Sequence, residues 1–312
     1  MKILITGTYG FVGTNLSTAL ANSHQLYGLD IVFPEKKEII KTFSWNNLAV
    51  IDSYNIEAII HLAGKAHDTK NQTNAASYFE INTDLTKKIF DYFLQQSSCK
   101  KFIYFSSVKA AADSVDGVAL TEDIIPSPKG SYGESKLKAE EYILKKERKD
   151  KDIFILRPAM IHGPGNKGNL NLLYQIVKKG IPWPLGLYDN LRSFTSIDNL
   201  IYIIERILTE NIKDGIYNIA DDEAVSTNDI IKIISELTKN KTRIWNIPKP
   251  LIKTTAQIGD FLHLPLNNER LHKLTENYIV SNKKIKNALE ILSLPINAKE
   301  GLRATIQNFI SN

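Results

Sequence analysis

Lys2-Ile3-Leu4-Ile5-Thr6-Gly7-Thr8-Tyr9-Gly10-Phe11-Val12-Gly13 decides the fold of this chain. Its first five residues form a short, mostly apolar run that reads as a buried strand. Glycines at a spacing of three follow, and Phe11, Leu16 and Leu20 then recur at helical spacing. Strand, glycine turn and helix in that order is an arrangement that binds the pyrophosphate of a dinucleotide. Glycine lets the backbone turn tightly and approach the phosphates, and the helix start offers them unpaired amides. The spacing differs from the commoner Gly-x-Gly-x-x-Gly, so the context carries the signal more than the triplet does. Gly7, Tyr9, Gly10, Phe11, Val12 and Gly13 are the loop residues expected at the cofactor. A second run, Gln25 to Asp30, ends in a carboxylate where such a unit holds the adenosine ribose. Asp30 accepts from ribose hydroxyls and repels a 2′-phosphate, and Ile31 and Val32 after it supply no cation. NAD is therefore expected over NADP.

Further along, Ser131-Tyr132-Gly133-Glu134-Ser135-Lys136 sets a phenol and an ammonium four residues apart, on one face if the run is helical. Ser131 and Glu134 predict that helix, because Ser-x-x-Glu is a capping box. A phenol titrates near ~10, too high for proton transfer at neutral pH. An ammonium held close favours the phenolate and moves Tyr132 toward the range of a general base. Taken alone, the pair is also what a solvated, lysine-rich helix face produces.

Together with the glycine loop, these motifs resemble the extended short-chain dehydrogenase/reductases, the NAD-dependent epimerase/dehydratase family, from Met1 to about residue 290. His61-Leu62-Ala63-Gly64 looks like the segment beneath the cofactor, and Asn82 with Thr86 resembles the family's Asn-x-x-x-Thr helix. Phe105-Ser106-Ser107 closes the fourth strand. The resemblance implies Ser107, Tyr132 and Lys136 as the catalytic set, with Ser106 and Pro158 (in Leu156-Arg157-Pro158) beside the cofactor. Lys136 would bond the nicotinamide ribose as well as tune Tyr132. Arg192-Ser193-Phe194 with Asp198-Asn199-Leu200 is similar to the motif whose arginine holds the substrate diphosphate. Asn169-Leu170 resembles an Asn-Leu pair whose amides meet the same group at a helix start. Lys65, Val108, Lys109, Leu185 and Arg270 complete the implied substrate contacts. His67 either faces the sugar or is an exposed loop histidine.

The chain has 312 residues, 43% of them hydrophobic and 23% charged, which suits a globular enzyme with a good core. Its lone cysteine, Cys99, excludes an internal disulfide framework, and Met1-Lys2 runs straight into the first strand without room for a signal peptide, so a cytoplasmic location is expected. No apolar stretch approaches the ~18 residues of a spanning helix. Leu251 to Leu264 is mildly amphipathic, and a packed helix is its default reading. The net charge of +5 lies largely in lysine runs, with no aromatic-and-basic interleaving for nucleic acid, and the histidines lack metal-ligand spacing. A homodimer is one assembly open to such a chain.

Strands are expected at 2–6, 25–30, 57–62, 101–106 and 153–157, and helices at 11–22, 75–96 and 131–147. This alternation implies an α/β fold, a Rossmann-type doubly wound parallel sheet with a smaller C-terminal substrate-binding portion. Residues 1–158 form the expected NAD-binding domain, with 190–220 returning to it. Residues 159–189 and 221–312 form the substrate-binding portion.

Family dehydratases carry an Asp-Glu pair after the catalytic Ser/Thr, whereas Val108-Lys109-Ala110-Ala111-Ala112 follows Ser107 here. Dehydration is therefore not expected. Two reactions remain: NAD-dependent C4 epimerisation of a UDP-hexose or UDP-N-acetylhexosamine through a 4-keto intermediate, and NAD(P)H-dependent reduction of a UDP-4-keto-6-deoxy-hexosamine in surface polysaccharide synthesis. A catalytically silent dinucleotide-binding module is a third reading, against which the retained Ser107, Tyr132 and Lys136 speak.

Overall fold

A computed structural model describes residues 1–65, 74–115, 117–148, 150–166, 168–240, 242–262 and 267–311. The chain opens with strand β1 (Lys2–Thr6), helix α1 (Phe11–Leu20), β2 (Gln25–Asp30), β3 (Lys41–Ser44) and β4 (Ala58–His61). Helix α2 (Ala75–Tyr78) runs through a π-helical stretch, Phe79–Asp84, into α3 (Leu85–Gln95). Then come β5 (Lys101–Phe105), α4 (Val108–Ala111), α5 (Ser131–Lys145), β6 (Asp152–Pro158), β7 (Met160–His162), α6 (Asn169–Lys178), β8 (Leu191–Arg192), β9 (Phe194–Ser196), α7 (Ile197–Thr209), β10 (Gly215–Ile219) and β11 (Val225–Ser226). The rest is helical: α8 (Thr227–Thr238), α9 (Lys249–Leu262), α10 (Asn268–Thr275), α11 (Lys283–Ala288) and α12 (Ala298–Ser311).

Among the described residues, seven strands pair in parallel in the order β10-β6-β5-β4-β1-β2-β3. The order reverses between β1 and β4, which opens a crevice at their carboxyl ends, where open α/β sheets take ligands. The inner strands are buried on both faces, as a parallel sheet demands. Ile3, Ile5, Ile60, Ile103 and Leu156 face α1 and α7, while Leu4, Ile59, Phe102, Tyr104 and Ile155 face α3 and α5. A separate core of Leu170, Tyr174, Trp183, Ile230, Ile231 and Leu302 joins α6, α8 and α12. Edge strand β3 escaped the sequence reading because it has only four residues and one fully buried side chain, Phe43.

Two local expectations are corrected. The N-cap of α5 is Gly130, at φ 87°, so Ser131 is the first helical residue and makes no cap. Half of the expected box survives: Glu134 Oε1 accepts from the Gly130 amide at 3.2 Å. The predicted 75–96 helix contains the π-helical stretch, in which Asn82 and Thr83 both bond α5 through Ser135: Asn82 Nδ2 donates to Ser135 Oγ at 3.0 Å and Thr83 Oγ1 to its carbonyl at 2.8 Å.

Helix α5 is locked to the sheet by a buried ion pair. Arg157 on β6 donates from Nε and Nη2 to the two Glu140 oxygens at 3.0 and 2.5 Å, and Ser106 Oγ donates to Glu140 Oε1 as well. Both side chains are at most 2% exposed. Such a pair adds little over a well-packed apolar substitute, but losing one member strands a charge in the interior. Arg157→Met should therefore cost about 3–5 kcal/mol of unfolding free energy in urea. Adding Glu140→Gln should recover most of that loss.

Candidate functional site

The carboxyl ends of β1, β4 and β5 and the first turns of α1 and α5 face the crevice. The glycine loop is held from several sides: the Gly7 amide donates to Leu29 O at 3.0 Å, Gly10 to Gly7 O at 3.1 Å, and Tyr9 to Asp30 Oδ2 at 3.1 Å. A Cβ on Gly13 would lie 2.3 Å from Gly7 O and 2.6 Å from Thr8 O, so only glycine lets α1 pack this tightly on the loop. Gly10 caps α1 and, among the described residues, no side chain bonds its first-turn amides. This leaves the helix start available to an anion. Asp30 also accepts from Ile31 N at 2.7 Å, which fixes its carboxylate at the mouth of the loop.

Beneath the loop runs a directional chain of hydrogen bonds. Ala63 N donates to Thr6 Oγ1 at 3.0 Å, which lies 2.6 Å from His61 Nδ1. On the other side His61 Nε2 lies 2.8 Å from Thr86 Oγ1, which donates to Asn82 O. Because the Thr86 hydroxyl hydrogen is used on Asn82 O, its oxygen accepts from Nε2–H, and Nδ1 accepts from Thr6. The ring is thus neutral with a defined tautomer. Burial, aided by the Lys136 charge, pulls its pKa down to about 3. Asn82 also grips the next loop, accepting from Lys65 N at 2.7 Å and donating to Lys65 O at 3.2 Å, while Lys65 Nζ reaches Ser77 Oγ at 3.0 Å.

Ser107, Tyr132 and Lys136 converge above this layer. Ser107 caps α4, accepting from Lys109 N at 3.2 Å, and its hydroxyl lies near enough to the Tyr132 phenol to pull the phenol's pKa down. Gly133 makes that approach possible, since a Cβ there would sit 2.4 Å from Lys109 O. Lys136 Nζ donates to Phe105 O at 2.9 Å and stands 5.1 Å from the Tyr104 ring centroid. Burial lowers its pKa to about 8, against the raising pull of Glu140. The expected lowering of Tyr132 by Lys136 is not what this geometry gives. Burial pushes the phenol up, opposed by the nearby Ser107 hydroxyl, and Tyr78 across a 6.2 Å ring contact pushes it further.

The other candidates are more scattered. Pro158 ends β6 opposite Ile219, and Asn169 begins α6 exposed. Leu170 and Leu185 turn their side chains into the C-terminal core, and Val108 is buried against Tyr278. Lys109 Nζ lies 4.4 Å over the Tyr278 ring and donates to Asp113 O. Arg192 Nη2 pairs with Glu276 Oε1 at 3.3 Å. His67 and the side chain of Arg270 fall outside the described residues. Sequence reasoning missed Glu140, Glu276 and Tyr278. Glu140 had a signal, as it stands four residues after Lys136 on the same helix face, whereas Glu276 and Tyr278 reach the site only through tertiary packing. Among the described residues no cluster of three or more His, Cys, Asp or Glu could hold a metal, and no helix is long and apolar enough to cross a membrane.

The profile described as the NAD dependent epimerase/dehydratase family matches residues 3–220. A UDP-glucose 4-epimerase of Vibrio cholerae is 29% identical over 266 residues, 80% of this chain and 79% of its own. A GDP-6-deoxy-D-talose 4-dehydrogenase of Aggregatibacter actinomycetemcomitans is 25% identical over 78% of this chain and 82% of its own. The structure of a Bacillus cereus UDP-glucuronic acid 4-epimerase in complex with UDP-glucuronic acid and NAD superposes with a TM-score of 0.78 at 21% identity, covering 100% of this chain and 99% of that one. At that identity the likeness shows the fold.

His61 yields a testable pH dependence. Unfolded, the ring takes up a proton below about 6.5; folded, it resists down to about 3. Its contribution is therefore complete above 6.5 and is lost as the pH falls toward 3. Between pH 7 and 5 the wild type should lose about 2 kcal/mol more than His61→Gln in chemical denaturation.

Proposed function

Because the chain belongs to the NAD dependent epimerase/dehydratase family, we propose that it is a sugar-nucleotide 4-epimerase, acting at C4 of a UDP-hexose or UDP-N-acetylhexosamine with NAD as its resident cofactor. The observation that carries this reading is the convergence of the Ser107 hydroxyl and the Tyr132 phenol, with Lys136 one helical turn on, at the carboxyl edge of β5 beside the glycine loop. The cradle made by Gly13, the start of α1 with no side chain on its cap and the fixed Asp30 carboxylate fits a dinucleotide.

Tyr132 takes the proton from the C4 hydroxyl and later returns it, and Ser107 holds that oxygen against the phenol. NAD, when bound, supplies the hydride acceptor and donor and a positive ring that favours the phenolate. Burial alone keeps Tyr132 protonated at neutral pH, so Lys136 is the chain's own cation available to shift it. Asp30 disfavours a 2′-phosphate. Arg192 pairs with the substrate diphosphate. Dehydration lacks its acid and base: the first carboxylate after Ser107 is Asp113, which already accepts from the Lys129 amide and faces Lys109 at 3.8 Å.

The 4-ketoreductase reading uses the same three residues, and one relative bears the name of a 4-dehydrogenase. Retention of the cofactor separates the two. An epimerase must return the same hydride it removed, so the purified protein should release NAD on denaturation and equilibrate two C4 epimers of a UDP-sugar with no added cofactor. Protein that emerges empty, is inert toward UDP-hexoses and consumes NADH or NADPH with a 4-keto-6-deoxy sugar nucleotide would establish the reductase instead. Tyr132→Phe should lower turnover by about two or more orders of magnitude with cofactor still bound. Titration calorimetry at one ionic strength should give tighter binding of NAD than NADP, a preference narrowed in Asp30→Ala.

A further inference from the structure

Arg192 lies on β8, which pairs with β11 on one side and bridges to Tyr278 on the other. The segment that supplies that bridge also supplies Glu276, whose Oε1 stands 3.3 Å from Arg192 Nη2. Its other oxygen faces His272 Nδ1 at 3.2 Å. The Arg192 and Glu276 side chains are 24% and 14% exposed, so the pair is partly withdrawn from water. Two residues on, Tyr278 packs under the Lys109 ammonium and donates to Ala112 O at 2.7 Å, which ties the segment to the end of α4, the helix that Ser107 caps. The carboxylate is therefore held at the arginine by a framework that also borders the candidate catalytic residues.

We propose that Glu276 is a built-in competitor for Arg192, a carboxylate that occupies the guanidinium and thereby sets how tightly the protein binds the diphosphate of a nucleotide ligand. This rests on the reading of Arg192 as the diphosphate ligand. An arriving diphosphate has two courses. It can displace Glu276 and forfeit the ion pair, or it can share Arg192 and bring like charges together in a partly dry site. Both courses weaken binding, so removing the negative charge strengthens it. Were Glu276 instead a support that orients Arg192, its removal would weaken binding.

The test uses the full chain, with UDP as the diphosphate probe and uridine as the probe without phosphate, both measured by calorimetry at one ionic strength. Glu276→Gln should bind UDP about two- to fivefold more tightly, the range of a partly exposed ion pair, with uridine binding unchanged. Glu276→Asp should stay near the wild type. Arg192→Met should weaken UDP binding, and adding Glu276→Gln to it should bring no gain. If Arg192→Met weakens UDP binding but Glu276→Gln leaves it equal or weaker, the competitor role is overturned and the arginine reading stands. An equal gain for uridine overturns it too. If Arg192→Met leaves UDP binding unchanged, the arginine reading fails and the proposal falls with it.

Discussion

The carboxylate of Glu140 is the fixed point of the candidate site. It is sealed between α5 and the sheet, and it accepts from Arg157 on β6 and from Ser106 at the end of β5. Two parallel strands and one helix are thereby set in mutual register by a single side chain. Ser107 follows Ser106 directly, and Lys136 and Tyr132 lie one and two turns earlier on the helix, so their spacing is inherited from this anchor. A buried pair of this kind is a poor source of stability, yet it is directional in a way that apolar packing is not. Here it fixes where α5 sits along the strands.

Around that anchor the charges are arranged by exclusion of water. Lys136 is buried with its ammonium on the Phe105 carbonyl, and Glu140 offsets part of the burial penalty. His61, a layer below, stays neutral and spends both nitrogens on threonines. Had it been charged, it would have set a second cation beneath Lys136. The phenol of Tyr132 is left above its ordinary range by burial. The protein alone thus keeps a resting site in which Tyr132 holds its proton.

What could be read from the sequence is what depends on neighbours in the chain. The glycine loop, Asp30 at the end of β2, and the four-residue interval from Tyr132 to Lys136 are local patterns, and the sheet follows from the alternation of short apolar runs with helices. Other features depend on partners far away. Ser131 and Glu134 predicted a cap, but Gly130, able to adopt a positive φ, took the position. Arg157 belonged to a motif, while its partner, on α5, was not singled out. The Arg192–Glu276 pair joins residues 84 positions apart. No spacing rule reaches that distance.

The π-helical stretch Phe79–Asp84 has an evolutionary consequence. A π-turn is an α-helix with one residue too many, retained because the surplus residue allows contacts that a regular helix would not. Here Asn82 reaches Lys65 and Ser135 while Thr86, one turn later, stays beneath His61. Each residue of a helix turns the face by about 100°. A single-codon deletion in this stretch would relax it into ordinary helix and swing everything before it by that angle, carrying Ser77 and Tyr78 away from Lys65. The length of this helix should therefore be less tolerant of change than most of its side chains: a lost or gained residue shifts every contact on its N-terminal side, a substitution only its own.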